Sequence, residues 1–345
     1  MDQPLTRDAF REGVFARDRH RCVWCGEEGA DAHHLLERRL FGPSKGYYLD
    51  NGVTVCNACH LKAEMTTLSV EDLRKAAGIS SVVSFDKEGE SAYDKWGNPI
   101  LSDGSRCIGE LFYEEPVQKM LRQGNVMSTF TTNLVKYPRT FHFPWSPGTT
   151  SDDRILADTD HFQGKEVVVT EKMDGEGSSV YQDHTHARSV DSQNHPSRNW
   201  LKTFHASFCH DIPAGWRICG ESMYAQHSLT YDQLPSFFLV FSIWDEKNEA
   251  LSWDDTVEWC NLLGLIHVPV LWRGVYDEEA IKELWSPGKG SAFGPEMEGY
   301  VVRIADSFPY SAFDVSVGKM VRASHVQTND HWSTHWVPNK LRQED

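Results

Sequence analysis

Four cysteines stand in two C-x-x-C pairs, Cys22-Val-Trp-Cys25 and Cys56-Asn-Ala-Cys59. Two such knuckles bring four thiolates to one point, the ligand set of a closed tetrahedral zinc site. In a reducing compartment the pattern reads as metal rather than disulfide. The other four cysteines, Cys107, Cys209, Cys219 and Cys260, are scattered singly. His33-His34, Asp50-Asn51 and His60 lie between and beside the knuckles. A second constellation follows the apolar run Val167–Thr170 and reads Glu171-Lys172-Met173-Asp174-Gly175. A lysine at a strand end, followed by Asp-Gly, suits a covalent nucleophile. An amine that is partly desolvated and close to other cations has a lowered pKa and can attack a phosphate. The glycine lets backbone approach a nucleotide closely.

These groups need elements to hold them. The first 80 residues read as a compact unit with little core of its own, so that bound metal would supply folding free energy. Ser69-Val-Glu-Asp72 predicts a helix start, and Gly78 can end that helix. Residues 81–127 read as a connector. Gly89, Gly97, Asn98-Pro99 and Asp103-Gly104 supply turn chemistry there, and Glu115–Arg122 one short helix. From about residue 128, short β-rich runs recur at Val167–Thr170, Ser178–Tyr181, Phe237–Trp244, Val268–Trp272 and Tyr300–Ile304. The run Phe237–Trp244 lacks polar alternation and suits a strand buried on both faces. Helical stretches at Asp254–Leu263 and Asp277–Trp285 sit between strands, so residues 128–345 predict an α+β domain of mostly antiparallel sheets. His331-Trp332 and His335-Trp336 are expected to pack the last strand region; His184, His186, His205 and His210 could bind metal but read rather as polar surface groups.

The 345 residues carry 34 Lys/Arg against 50 Asp/Glu, a net charge of −16. Bulk charge therefore does not attract nucleic acid, and any phosphate site must be local. Residues 1–80 hold 11 Lys/Arg against 12 Asp/Glu, so nearly all the acidity lies in the other 265 residues, as two modules would have it. Hydrophobic residues make up 40% and aromatics 12%, enough for a sizeable core. No apolar run reaches the roughly 18–20 residues of a membrane span, and no apolar secretory region opens the chain. A cytoplasmic protein is expected.

The N-terminal arrangement resembles the HNH nucleases, in their branch with a four-cysteine zinc site. That resemblance implies a ββα unit in which His33 and His60 ligate a divalent metal. It makes His34 the general base and Asn51 the residue that orients it. The metal neutralises a scissile phosphate while the imidazole takes a proton. Arg17, Arg19, Arg21, Arg38 and Arg39 are candidate phosphate contacts.

Residues 128–326 resemble the covalent nucleotidyltransferase superfamily of ligases and capping enzymes, closest to the RNA-ligase branch that includes dsRNA-type nick-sealing enzymes. The resemblance rests on five stretches in order: EKMDGE, RICGESMYAQHS, FFLVFSIWD, MEGYVVRI and VGKMVRASHV. It implies a fold of ATP-grasp-like antiparallel sheets with helices. Lys172 is then the adenylated lysine, within a nucleotide site that includes Glu171, Asp174 and Gly175. Arg188 contacts the ribose and the acceptor side. Glu221 binds ribose hydroxyls, Phe241 stacks on adenine, Glu298 holds Mg²⁺ or Mn²⁺, and Lys319 grips the α-phosphate. Relatives often carry K-x-K in the last stretch; here Lys319 is followed by Met320-Val321-Arg322, so the second basic role falls to Arg322. Lys136-Tyr-Pro-Arg139 to His142 is a further candidate for phosphate or nucleic-acid contacts.

The leading expectation is an ATP-dependent ligase for RNA ends, or for a nicked duplex with RNA on at least one strand, with the HNH-like module binding the nucleic acid. The 26 residues after Lys319 are too few for the OB domain that capping enzymes and standard DNA ligases carry. The alternatives are a bifunctional cut-and-seal enzyme, or an HNH endonuclease with a regulatory ligase-like domain.

Overall fold

The computed structural model describes residues 4–80, 83, 85, 92–101, 104–149, 153–190, 192, 195–323 and 336–343. Gly89, Asp103, His331, Trp332 and His335 lie outside them. The chain divides into two compact units, Met1–Lys136 and Tyr137–Asp345.

The first unit opens with helix α1 (Arg7–Arg17), capped by the Thr6 hydroxyl, which accepts from the Ala9 N–H at 3.2 Å. Strands β1 (Asp31–His34) and β2 (Gly52–Val55) pair antiparallel, and helix α2 (Asn57–Glu64) follows directly. Helix α3 (Val70–Ala76) begins as the sequence predicts: the Ser69 hydroxyl accepts the Asp72 N–H at 3.0 Å, and Gly78 adopts φ +68° beyond its end. A small core joins Leu35, Val53, Val55, Ala63, Leu68 and Leu73 to three of the knuckle cysteines. The stretch that reads as a connector contains β3 (Ala92–Tyr93), β4 (Pro99–Ile100), β5 (Arg106–Ile108) and helix α4 (Glu115–Gln123). With β6 (Phe130–Val135) these strands make a four-stranded sheet within the same unit.

The second unit is built on two sheets. One has the order β15-β8-β16-β18-β7, from strands Val270–Val275, Glu166–Lys172, Gly299–Ile304, Val317–Val321 and Phe141–His142. In the other, β9 (Glu176–Val180) lies between β10 (Thr185–Ala187) and β11 (Arg217–Ser222). Then come β12 (Phe238–Trp244), β13 (Glu249–Ala250) and β17 (Phe308–Pro309), while β14 (Ile266–His267) joins β12 in parallel. Helices α5 (Asn199–His205), α6 (Trp253–Leu263) and α7 (Glu278–Lys282) complete the unit. Most pairings are antiparallel, as expected. Strand β12 is buried on both faces except at Phe241, which fits its unbroken apolar sequence. The run Val268–Trp272, read as one strand, spans the end of a loop and the start of β15. His186 is not a surface group: it is buried, with its Nε2 3.2 Å from the Tyr181 hydroxyl.

Candidate functional site

The nucleotide-site candidates of the second unit come from both sheets. Lys172 ends β8 and stands in register with Gly299, the first residue of β16, so Glu298 arrives beside it. The Lys172 ammonium donates to Glu298 Oε2 at 2.6 Å. A Cβ on Gly299 would meet the Met320 carbonyl at 2.0 Å, so only glycine lets β16 and β18 close at this point. Lys319 lies on β18 opposite Val301. Glu221 comes from β11 and accepts the Gly175 N–H at 3.2 Å. A Cβ on Gly175 would sit 3.0 Å from Glu221 Cγ and 2.6 Å from the Ser222 carbonyl. The glycine of Asp-Gly is thus required by its protein neighbours, whatever it does for a nucleotide.

Asp174 is fixed from residues that the sequence reading missed. Its Oδ2 accepts from the Ser228 hydroxyl and the Leu229 N–H, both at 2.7 Å, and its own N–H donates to the Tyr231 hydroxyl at 3.1 Å. Nothing in the spacing signals this, since the partners lie 54–57 residues away. Glu171 is buried and accepts the Ala292 N–H at 3.0 Å. Phe241 is the extra residue of a β-bulge, because Cys219 pairs with Ser242 while Gly220 pairs with Val240. Bulges re-aim side chains, and Phe241 meets Tyr137 edge-on at 5.0 Å. Arg322 is buried and pairs with Glu296 at 3.3 Å, while among the described residues its Nε and second terminal nitrogen have no hydrogen-bond partner. Buried guanidinium N–H groups left over in this way suit an anion.

The electrostatics correct one expectation. Lys172 is not depressed. Burial acts to lower it, but the carboxylates of Glu298, Glu221 and Asp174 outweigh that and hold the ammonium above its ordinary value. The depressed lysine is Lys319, which burial, Lys172 and Arg188 bring to about 7. Burial likewise lifts Glu298 to about 7 and Glu221 to about 8, each against the pull of Lys172. Glu298, Glu221 and Asp174 all act on the Lys172 ammonium, and carboxylate oxygens are donors of the kind Mg²⁺ or Mn²⁺ takes.

In the first unit the four knuckle sulfurs all lie within 4.8 Å of one another, with Cys25 and Cys56 3.6 Å apart. A tetrahedral site with bonds of about 2.3 Å has edges of about 3.8 Å. Burial and the neighbouring thiols push Cys59 well above its usual range. In Cys22, burial is outweighed by backbone N–H donors, which bring it to about 7. Such a set is unfavourable as four thiolates without a cation and fits one well.

The histidines divide. His33 on β1 and His60 on α2 face one carboxylate that sequence reasoning missed, Glu64: His33 Nδ1 lies 3.4 Å and His60 Nε2 3.3 Å from Glu64 Oε1. The available signal was the spacing, since residues 60 and 64 share a helix face. His34 instead stacks on Phe10 with centroids 4.5 Å apart, and burial lowers it to about 4. Asn51 bonds to the chain between Leu36 and Gly46. Its Oδ1 accepts the Leu36 N–H, and its Nδ2 donates to the Leu36 and Gly46 carbonyls. Among the described residues none of these bonds reaches the His34 ring, so Asn51 pins a loop. Arg17 is taken up by Asp18 and by the Leu49 and Gly52 carbonyls, and Arg39 by Glu37 and Glu114. Lys136 reaches the Tyr93 hydroxyl at 3.4 Å.

Residues 165–321 match the RNA ligase family. That stretch contains Lys172, Glu221, Phe241, Glu298 and Lys319. No curated protein matches the sequence. Among solved structures, the chain is similar to a Naegleria gruberi RNA ligase variant with ATP and manganese. The identity is 17%, the TM-score 0.35, and the likeness covers 48% of this chain and 51% of that one. It is also similar to an archaeal ATP-dependent RNA ligase, with 15% identity, TM-score 0.37 and 56% and 49% of the two chains covered. A third is a putative ATP-dependent DNA ligase from Aquifex aeolicus, with 18% identity, TM-score 0.35 and coverage of 56% and 50%. The chain spans about half the length of these structures. No helix among the described residues is long and apolar enough to cross a membrane.

Proposed function

We propose that this protein is an ATP-dependent polynucleotide ligase acting on RNA, working through a Lys172–AMP intermediate to join a 3′-hydroxyl to a 5′-phosphate at ends or nicks. The observation that carries the reading is the pairing of β8 with β16. It sets the Lys172 amine at 2.6 Å from Glu298 inside the stretch matching the RNA ligase family. In the first step the Lys172 amine forms a bond to the α-phosphorus of ATP as the bond to pyrophosphate breaks. Only the neutral amine attacks, so the pair with Glu298 must open, and Glu298, poised near 7, is the acceptor in reach of the proton. When it does not carry that proton, Glu298 would hold a divalent cation, which would supply charge neutralisation at the α-phosphate. Lys319 and Arg322 add fixed donors there, Glu221 accepts from ribose hydroxyls, and Phe241 offers a flat apolar face to adenine. Arg188 serves the ribose and the acceptor side. AMP then passes to the 5′-phosphate and leaves when the 3′-hydroxyl attacks.

The first unit, in this reading, is an HNH-like module stapled by zinc at Cys22, Cys25, Cys56 and Cys59, and it binds the nucleic acid. The test is incubation of the full chain with α-labelled ATP and Mg²⁺, followed by a denaturing gel. The wild type is expected to carry the label and Lys172→Ala to carry none. An unlabelled wild type, even after pyrophosphate treatment to strip bound AMP, would end the ligase reading.

A further inference from the structure

His33, His60 and Glu64 form a three-donor set, and resemblance to HNH nucleases implies a divalent metal on its two histidines. One side chain opposes that metal. The Lys95 ammonium lies 3.2 Å from Glu64 Oε1, the same oxygen that faces both imidazoles. It also lies 3.4 Å from Glu37 Oε2 and 3.4 Å from the His34 carbonyl. This lysine is not a loose surface group. Its side chain is 5% exposed, and its backbone carbonyl accepts the Glu37 N–H at 2.8 Å. Its ammonium sits 5.0 Å from the ring centre of Trp96, whose indole donates to the Glu64 carbonyl at 2.8 Å. Helix α2 and the turn around Lys95 are therefore fastened together on both sides of the cluster.

A second cation on the Glu64 oxygen would face this ammonium across a short, poorly screened gap. The negative charge of the cluster is already answered, by Lys95 at Glu64 and by Lys95 and Arg39 at Glu37. The donors themselves remain in place. His33 Nδ1 is buried and, among the described residues, lacks a hydrogen-bond partner of good geometry. We propose that Lys95 is a built-in cation that masks a latent divalent-metal site made of His33, His60 and Glu64, so that the first unit does not perform metal-dependent cleavage of a phosphodiester. The proposal rests on this cluster alone and is independent of adenylation at Lys172.

The experiment is Mn²⁺ titration of the full chain, following free Mn²⁺ by electron paramagnetic resonance. Uptake near Glu298 is a background common to all variants. The readout is the uptake that His60→Ala removes. In the wild type that difference is expected to be zero, and neither protein should cut duplex RNA or DNA in Mn²⁺. Lys95→Met is expected to take up one further equivalent, at least tenfold tighter than the wild type manages at this cluster. Adding His60→Ala to Lys95→Met removes it, and Lys95→Arg behaves as the wild type. A wild type that loses an Mn²⁺ equivalent or a cleavage activity on His60→Ala overturns the proposal. So does a folded Lys95→Met, checked by circular dichroism, that gains nothing. If Lys95→Met does not fold, Lys95→Gln, which also removes the charge, is read by the same gain of Mn²⁺ and decides in its place.

Discussion

Both units set a lysine ammonium against a carboxylate, buried in one and half-buried in the other, in a place where resemblance puts a metal, yet the two lysines are built differently. Lys172 has one short bond, to Glu298, with the Met173 carbonyl at 3.5 Å, and keeps 23% of its side chain exposed at a strand end. Lys95 has two longer contacts, to Glu64 and Glu37, a carbonyl besides, and 5% exposure. Around Lys172, burial first and the neighbouring carboxylates after it push Glu221 and Glu298 up, so that they hold protons near neutrality. Around Lys95 the opposite holds: Glu37 and Glu64 are half-buried, yet Lys95 and Arg39 at Glu37, and His60 and Lys95 at Glu64, keep both below the ordinary carboxylate range. A lysine that reacts needs a partner that can release it. A lysine that neutralises needs several partners and no exit.

A charge-preserving exchange breaks the comparison most sharply. Lys172→Arg keeps a cation against Glu298 but has no attacking amine at accessible pH. Label transfer from ATP is expected to fall by more than about a thousandfold. Lys95→Arg in the same assay is expected to leave transfer unchanged, because its cluster takes no part in adenylation. If both substitutions abolish labelling, the distinction between the two lysines fails.

The sequence was informative where chemistry depends on nearest neighbours. The knuckle spacing places four sulfurs together, and the Ser69 cap and the unbroken strand at Phe238–Trp244 are found where predicted. It was silent where chemistry depends on chain reversal. Lys172 was expected to be depressed by nearby cations, yet the strands bring carboxylates instead, and the depression falls on Lys319. Lys95 comes from a stretch that reads as a connector, and only the folded chain sets it 31 residues on from Glu64 at 3.2 Å. Asp174 depends on Ser228, Leu229 and Tyr231 in the same way. Asn51 and His34 are adjacent in the HNH resemblance but serve separate ends here, a loop and an aromatic stack.

The raised carboxylates of the second unit have a stability signature. Glu221 rises from an ordinary 4.5 to about 8 on folding. Between those values the folded chain holds a proton that the unfolded chain releases, so stability falls as pH rises through the window. Glu221→Gln removes that slope. Its advantage over the wild type is expected near zero at pH 4.5 and to grow toward pH 8, reaching at most about 5 kcal/mol. Chemical denaturation at several pH values measures it. A difference that does not change with pH would show that Glu221 is not held protonated by the fold.

The smallest effect concerns the second partner of Lys95. Burial acts to raise Glu37, but Lys95 and Arg39 outweigh it and hold the carboxyl below its ordinary value. Its contribution is therefore present above the ordinary carboxylate range and is lost as pH falls through the depressed value. The contact with Lys95 is 3.4 Å, longer than the Lys172–Glu298 bond. Glu37→Gln is expected to cost about 1 kcal/mol at pH 7 and nothing in acid, read by denaturation of the first unit's transition. The substitution also leaves Lys95 on Glu64 alone, which is the arrangement Lys172 has with Glu298. If one carboxylate holds a neutralising lysine as well as two do, the cost at pH 7 vanishes. The difference between the two lysines then lies in burial rather than in the number of partners.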